Sequence, residues 1–251
     1  MTESINWDHV SRLDKLQSVI DSHDGKGSKN LLIDRIHWNA IRKHLSGSKN
    51  LLDFGCGIGR FARRIHSRGI TYTGIDNSLG MIRKAGSLRE NRGLNFKHFD
   101  GVRIPFPENH FDTILITEVL IYILRSPVGS VALSEIYRVL APRGRLVLLE
   151  QASISGRKSE SASAILTEDD YTTALSKFFK INSLYKVRSP DFSHWTCRIL
   201  ESPKVSLSLF SRIVGPVAYH ESALVKKATD DYFKTTSYYD FLIDATVVKS
   251  K

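Results

Sequence analysis

The stretch Leu51-Leu52-Asp53-Phe54-Gly55-Cys56-Gly57-Ile58-Gly59-Arg60 constrains the chain more than any other. Apolar residues, an acid and then glycine at every second position predict a buried strand that stops in a tight turn and continues as a helix over Phe61 to Arg68. Glycine suits such a turn because backbone there takes positive φ, and because a ligand can approach where no Cβ stands. The turn is therefore a candidate cofactor cradle. A nicotinamide fingerprint would place its third glycine at the sixth position counted from Gly55. That position is Arg60, and the third glycine arrives one residue early, at Gly59.

The remaining chain length sets outer limits. With 251 residues, 41% hydrophobic and 25% charged, it can bury one sizeable α/β core, and one domain with embellishments is expected. Met1 to Asn6 has no basic stretch leading into an apolar segment, and no run of about 18 apolar residues could span a bilayer. The expected location is cytoplasmic, with no membrane partner. Cys56 and Cys197 offer neither a disulfide framework nor metal-ligand spacing, so no metal is expected. The net charge of +10 favours anionic partners by long-range attraction. Its basic residues are scattered in short clusters such as Arg63-Arg64 and Lys226-Lys227, with no aromatic stacking platform between them. Solvated surface charge explains this scatter better than a nucleic acid does, and an anionic small substrate suits the charge as well as RNA.

Taken in order, residues 4 to 20 place Ile5, Val10, Leu13, Leu16, Val19 and Ile20 at helical spacing, and the polar stretch 21 to 29 breaks that pattern as a loop. A second helix is expected from Leu32 to Leu45. These two helices, residues 1–48, form either a cap over the cofactor end or a layer on the back of the sheet. After the first strand, Ile70 to Asp76 reads as a second strand ending in an acid. The 23 residues from Asp53 to Asp76 are the length of one helix and a return strand, so both acids should emerge at one edge of a parallel sheet. Leu94 to Asp100 is a third strand with its own terminal acid, and Phe111 to Thr117 a fourth, nearly continuously apolar and so buried on both faces.

With the acid two residues before the first glycine, the stretch from Asp53 resembles motif I of the class I S-adenosylmethionine-dependent methyltransferases. Three later features agree: the acid Asp76, the Pro105-Phe106 pair leading to Phe111-Asp112, and Glu135 to Gly144, which looks like the family's E-x-x-R-V-L-x-P-G-G signature with Arg143 in place of the first glycine. The likeness covers residues 50 to 150. It implies an α/β, Rossmann-like fold of seven mostly parallel strands with the last antiparallel, and S-adenosyl-L-methionine as cofactor. It further implies that Asp53 lies near the methionine end, with Gly55, Cys56 and Gly57 beneath it. Asp76, beside Asn77, takes the ribose hydroxyls; Asp100 receives the adenine amino group beside Gly101; and Thr117 reaches the cofactor's amine.

Beyond Glu150 the likeness thins. Thr167 to Asp170 looks like a helix N-terminus, Phe178 to Val187 a sixth strand and Tyr239 to Val248 the last one, within a core of 49–251. Residues 189 to 238 intervene as an insertion, expected to hold a helix over Leu224 to Phe233 and to form part of the acceptor pocket. Methyl transfer from a sulfonium needs mainly alignment and exclusion of water, with a base only when the acceptor arrives protonated. Candidates for that role are Glu118, His194 and His220, with Tyr122, Glu150 and Gln151 also expected at the pocket. His194 and His220 are equally readable as ordinary packed or surface histidines, and Glu118 as a helix cap or amine ligand. The chain has Thr117-Glu118-Val119-Leu120 where enzymes acting on planar nitrogens carry an Asn/Asp-Pro-Pro-Tyr/Phe tetrapeptide. The resemblance therefore points to O-methylation of a small metabolite. N- or C-methylation, an RNA substrate and a catalytically silent partner subunit are the alternatives.

Overall fold

The computed structural model describes residues 6–13, 15–127, 129–153, 166–190, 207–227 and 238–249. Seven strands form one sheet: β1 (Asn50–Phe54), β2 (Thr71–Asp76), β3 (Asn95–His98), β4 (Phe111–Thr117), β5 (Leu140–Ser153), β6 (Phe179–Arg188) and β7 (Tyr238–Val247). Their order is β3-β2-β1-β4-β5-β7-β6. The first five pair in parallel, and β7 runs antiparallel between β5 and β6.

Both faces of the sheet are covered, and the period of two along each strand divides the core accordingly. Leu52, Ile114, Ile116, Leu146 and Leu148 pack in one cluster with Leu133 and Ile136 of α6 (Gly129–Val139) and Tyr171 of α7 (Glu168–Ser176). Their neighbours Leu51, Leu115, Val147 and Leu149 point to the other face. There they meet Ile36 of α2 (Ser28–Ile41), Ile65 of α3 (Ala62–His66) and Val214 of α8 (Leu207–Lys227).

Local chemistry explains several joints. Thr167 and Asp170 form a reciprocal capping box at the start of α7. Arg143 occupies the left-handed region at φ 61°, which is why the resembled family carries glycine there. Within the Glu135-to-Gly144 signature, Arg138 pairs with Glu135 and donates to the carbonyls of Ile104 and Phe106 while Glu135 accepts the Ile104 N–H, so the motif clamps the Pro-Phe loop to α6.

Two helix expectations are revised. Among the described residues of the first segment only Trp7–Val10 (α1) is helical, and those from 11 to 13 and 15 to 27 run as successive turns. Asp8 fastens this segment to α4 (Leu79–Ser87), its carboxylate accepting from Ser78 Oγ at 2.6 Å and from the Gly80 N–H at 2.8 Å. In the insertion a described helix runs over Leu207–Lys227, overlapping the expected one from Leu224 to Lys227, and packs against α2 and β6 on the sheet face; the rest of the expected helix, 228 to 233, lies outside the described residues. The apolar residues Phe210, Val214 and Ala218, four apart, face the sheet and fix that packing.

Candidate functional site

The carboxyl ends of β1, β2 and β4 open into a cleft of about 970 Å³. The glycine turn forms its floor. Gly55 and Cys56 donate their N–H groups to the Ile75 carbonyl, tying the turn to β2. Gly55 has φ 72°, and a Cβ there would stand 2.4 Å from Val119, so both conformation and space require glycine.

At one end of the cleft, β2 delivers Asp76. Its Oδ2 accepts the Gly57 N–H at 2.9 Å and its Oδ1 the Ser78 N–H at 2.8 Å. Both oxygens are thereby oriented while each keeps lone pairs for a ligand. Burial raises the Asp76 pKa, and these two backbone bonds oppose that rise. Asn77, Phe99 and Gly101 continue the wall. Asp100 does not line the cleft: it is exposed, and its Oδ1 accepts the N–H groups of Val102 and Arg103 at 2.8 Å.

At the other end stand Asp53, Arg60, Thr117 and Glu118. Asp53 is buried and accepts the Tyr72 hydroxyl at 2.7 Å, and burial pushes its pKa up to about 7. Glu118 adopts φ 56°, a strained conformation for a side chain of this size, which turns the chain away from β4. Its Oε1 accepts from Gln151 Nε2 at 3.0 Å. Two buried polar atoms beside the cleft, Arg60 Nη1 and Thr117 Oγ1, have no hydrogen-bond partner. Such orphans fit a site shaped for a ligand with complementary polar groups.

A second cavity of about 810 Å³ shares Trp7, Val19, Glu118 and Tyr122 with the first. Its remaining wall includes Val10, Ile20, Ile121, Glu150 and Gln151. Trp7 meets Tyr122 edge to face, with ring centroids 5.5 Å apart, so α1 reaches across to α5 (Leu120–Leu124). Residues 7–27 thus cover the ligand end, whereas α2 lies in the helix layer. Glu150 Oε1 accepts the N–H groups of Val119 and Leu120, and its Oε2 is buried without a partner. Burial raises its pKa to about 8.

The structure therefore gathers Asp53, Gly55, Cys56, Gly57, Asp76, Asn77, Gly101, Thr117 and Glu118 at one cleft. His220 is exposed on α8 and borders neither cavity, and His194 lies outside the described residues. Cys56 is buried, which pushes its thiol pKa up and suits a packing role better than a nucleophile. Sequence reasoning missed Trp7, Val19 and Arg60; only Arg60 carried a signal, as the residue that breaks the nicotinamide spacing. Among the described residues, His37, Glu118 and Asp240 place possible metal-ligand atoms within 4.8 Å of one another. Arg188 already bonds Asp240, and Arg60 approaches His37, so the group is an ion-pair network ill suited to a further cation.

A seven-stranded sheet in this order, with its last strand antiparallel and acids gathered at a glycine turn, defines the class I methyltransferase fold. Residues 52–148 match the family described as methyltransferase domain. Sterol 24-C-methyltransferase of Pneumocystis carinii is 35% identical over 113 residues, 43% of this chain and 29% of that protein. Among solved structures, the cyclase SpnF is 26% identical with a TM-score of 0.57, covering 85% of this chain and 80% of that one. Geranyl diphosphate C-methyltransferase of Streptomyces coelicolor, at 16% identity, has a TM-score of 0.63 and covers 98% of this chain and 94% of its own, a likeness of fold. The chain spans 29% to 49% of the length of the curated relatives it matches. No helix among the described residues is long and apolar enough to cross a membrane.

Proposed function

We propose that the protein transfers a methyl group from S-adenosyl-L-methionine, held in the first cleft, to a small molecule held in the second. The observation that carries this reading is the junction: Trp7, Val19, Glu118 and Tyr122 border both cavities, so ligands in the two would meet there. The bound sulfonium would supply an activated methyl group and a neutral leaving thioether. Asp76 would take the ribose hydroxyls with its free lone pairs, Phe99 and Gly101 would flank the adenine, and Thr117 and Glu118 would face the amine. Trp7, Val19 and Tyr122 would exclude water from the line of transfer.

The second cavity offers aliphatic and aromatic walls, the carboxylates Glu118 and Glu150, and no lysine or arginine among its described lining residues. With Gln17, Ser18, Ser22 and Gln151 beside the apolar residues, that supports a neutral acceptor with both apolar and polar surface, in place of the anionic one suggested by net charge. The name of the sterol relative supports carbon as the acceptor atom over the hydroxyl expected from sequence. Either route sheds a proton, from the hydroxyl or from a carbon beside the methylated one, and Glu118 and Glu150 stand where it could be taken up.

Incubation with methyl-labelled cofactor and a panel of sterol, quinol and phenol acceptors tests this. Release of S-adenosylhomocysteine with label in the acceptor is expected, and the carbon chemical shift of the label separates C–CH3 from O–CH3. Absence of saturable cofactor binding by the folded protein would overturn it. The name of SpnF favours one rival, a catalyst of this fold that closes a ring; that reading predicts product without S-adenosylhomocysteine.

A further inference from the structure

We propose that Arg60 anchors the carboxylate at the amino-acid end of the cofactor, and that His37, backed by Asp240 and Arg188, is the positioning residue that aims it. The inference rests on the cofactor reading above and adds a residue-level account of how the cleft tells a cofactor with its amino-acid tail from one without it.

The Arg60 side chain is 7% exposed and forms part of the cleft wall. Its guanidinium lies 4.3 Å above the Phe61 ring, its Nη2 is 3.4 Å from His37 Nδ1, and its Nε stands 4.0 Å from Asp34 Oδ1. Nη1 has no partner. A buried guanidinium N–H without an acceptor is costly, and its place in a cavity wall marks where an acceptor arrives with the ligand.

The surrounding charge selects that ligand. Asp53 and Glu118 line the same end of the cleft and act on Arg60 at longer range. A phosphate there would face two carboxylates for one guanidinium. A zwitterionic amino acid instead presents an ammonium to the acids and a planar carboxylate to the fork of the arginine.

The orientation of Arg60 is set from outside the cleft. Arg60 can only donate, so His37 Nδ1 accepts, which leaves the ring proton on Nε2 to be given to Asp240 Oδ2 at 2.8 Å. Asp240 is fully buried and held by both Nε and Nη2 of Arg188. Burial opposes its charge, but Arg188 and His37 outweigh that and hold the carboxyl below the ordinary range. The chain Arg188, Asp240, His37, Arg60 thus joins β6, β7 and α2 to the residue just past the glycine turn.

Calorimetry with two probes, S-adenosylhomocysteine and methylthioadenosine, tests the assignment, because the second lacks the amino-acid end. Arg60→Met is expected to lose roughly ten- to a hundredfold in affinity for S-adenosylhomocysteine and to change less than about twofold for methylthioadenosine. His37→Gln is expected to show the same selective loss, severalfold. Equal losses for both probes would assign Arg60 to packing and overturn the proposal. Should Arg60→Met not fold, Arg60→Lys, which keeps the charge and loses the fork, must still show the selective loss. A wild-type protein that binds neither probe would bring down the cofactor reading itself, a different outcome from unselective loss in the variant.

Discussion

The two ends of the cleft are built by different means. At the end proposed for the ribose a single carboxylate, Asp76, is oriented by backbone N–H groups from Gly57 and Ser78, both within twenty residues of it in sequence. At the end proposed for the amino-acid portion, charged side chains hold one another across the fold, and His37 and Asp240 are 203 residues apart. Backbone-held sites tolerate substitution of their neighbours, whereas a network of buried charges fails as a unit. The lesson is that the two ends should respond differently to the loss of one carboxylate, the first in affinity and the second in stability.

The sharpest way to break this contrast is Asp240→Ala. It strands the buried Arg188 guanidinium and removes the support of His37, so a stability loss of about 3 to 5 kcal/mol is expected in denaturant unfolding. A loss under about 1 kcal/mol would mean that water or another group reaches Arg188, and that the network is not a unit. Asp76→Ala should act on the ligand instead, weakening S-adenosylhomocysteine binding by about 1 to 3 kcal/mol in calorimetry, the scale of lost charge-assisted hydrogen bonds. Unchanged affinity would refute the ribose role.

The same contrast explains what could be read in advance. The ribose end was legible because every part is local: a strand, an acid at its tip and a glycine turn one crossover earlier. Strand β4 was equally clear, since the neighbours Ile114 and Leu115 are apolar on opposite faces. At the other end Asp53 and Thr117 were legible as strand-tip residues, but the network behind Arg60 was not. His37 sits in an apolar helix pattern and Asp240 in a strand, and nothing local tells a buried polar residue from a solvated one until the sheet brings β6 and β7 together. Residues 4 to 20 misled because helical spacing of apolar residues does not by itself make a helix: past Val10 the described residues half-bury them in successive turns.

Titration sharpens the comparison with a smaller effect. Burial holds the Asp53 carboxyl at about 7, well above its value of 3.8 in water, so below pH 7 the ligand-free protein carries a proton there. A cationic ligand favours the ionised form. Binding of S-adenosyl-L-methionine below pH 7 should therefore release up to one proton, and affinity should rise as pH climbs toward 7 and then level, a gain of about 1 kcal/mol between pH 6 and 8. Comparing binding heats in buffers of different ionisation enthalpy measures the proton directly. Stability has the opposite slope. A carboxyl whose folded pKa is raised stabilises the fold fully below 3.8, and that contribution is lost as pH rises through 7. Asp53→Asn should remove both dependences, whereas Asp76→Asn should leave the Asp53 proton release in place.

The smallest effect is expected at Asp100, where the family resemblance and the local geometry part company. The resemblance gives this acid the adenine amino group, and its position two residues past β3 agrees. Its carboxylate, however, is exposed and bonded to the backbone of Val102 and Arg103, which holds its pKa below the ordinary carboxylate value. A hydrogen bond made at such a site replaces one to water and returns little net free energy. Asp100→Ala is therefore expected to weaken S-adenosylhomocysteine binding by less than about threefold, a smaller loss than that of Asp76→Ala. A loss as large as that of Asp76 would mean that residues 100 to 103 rearrange around the adenine, so that the ribose end, too, depends on a side chain freed from its resting partners.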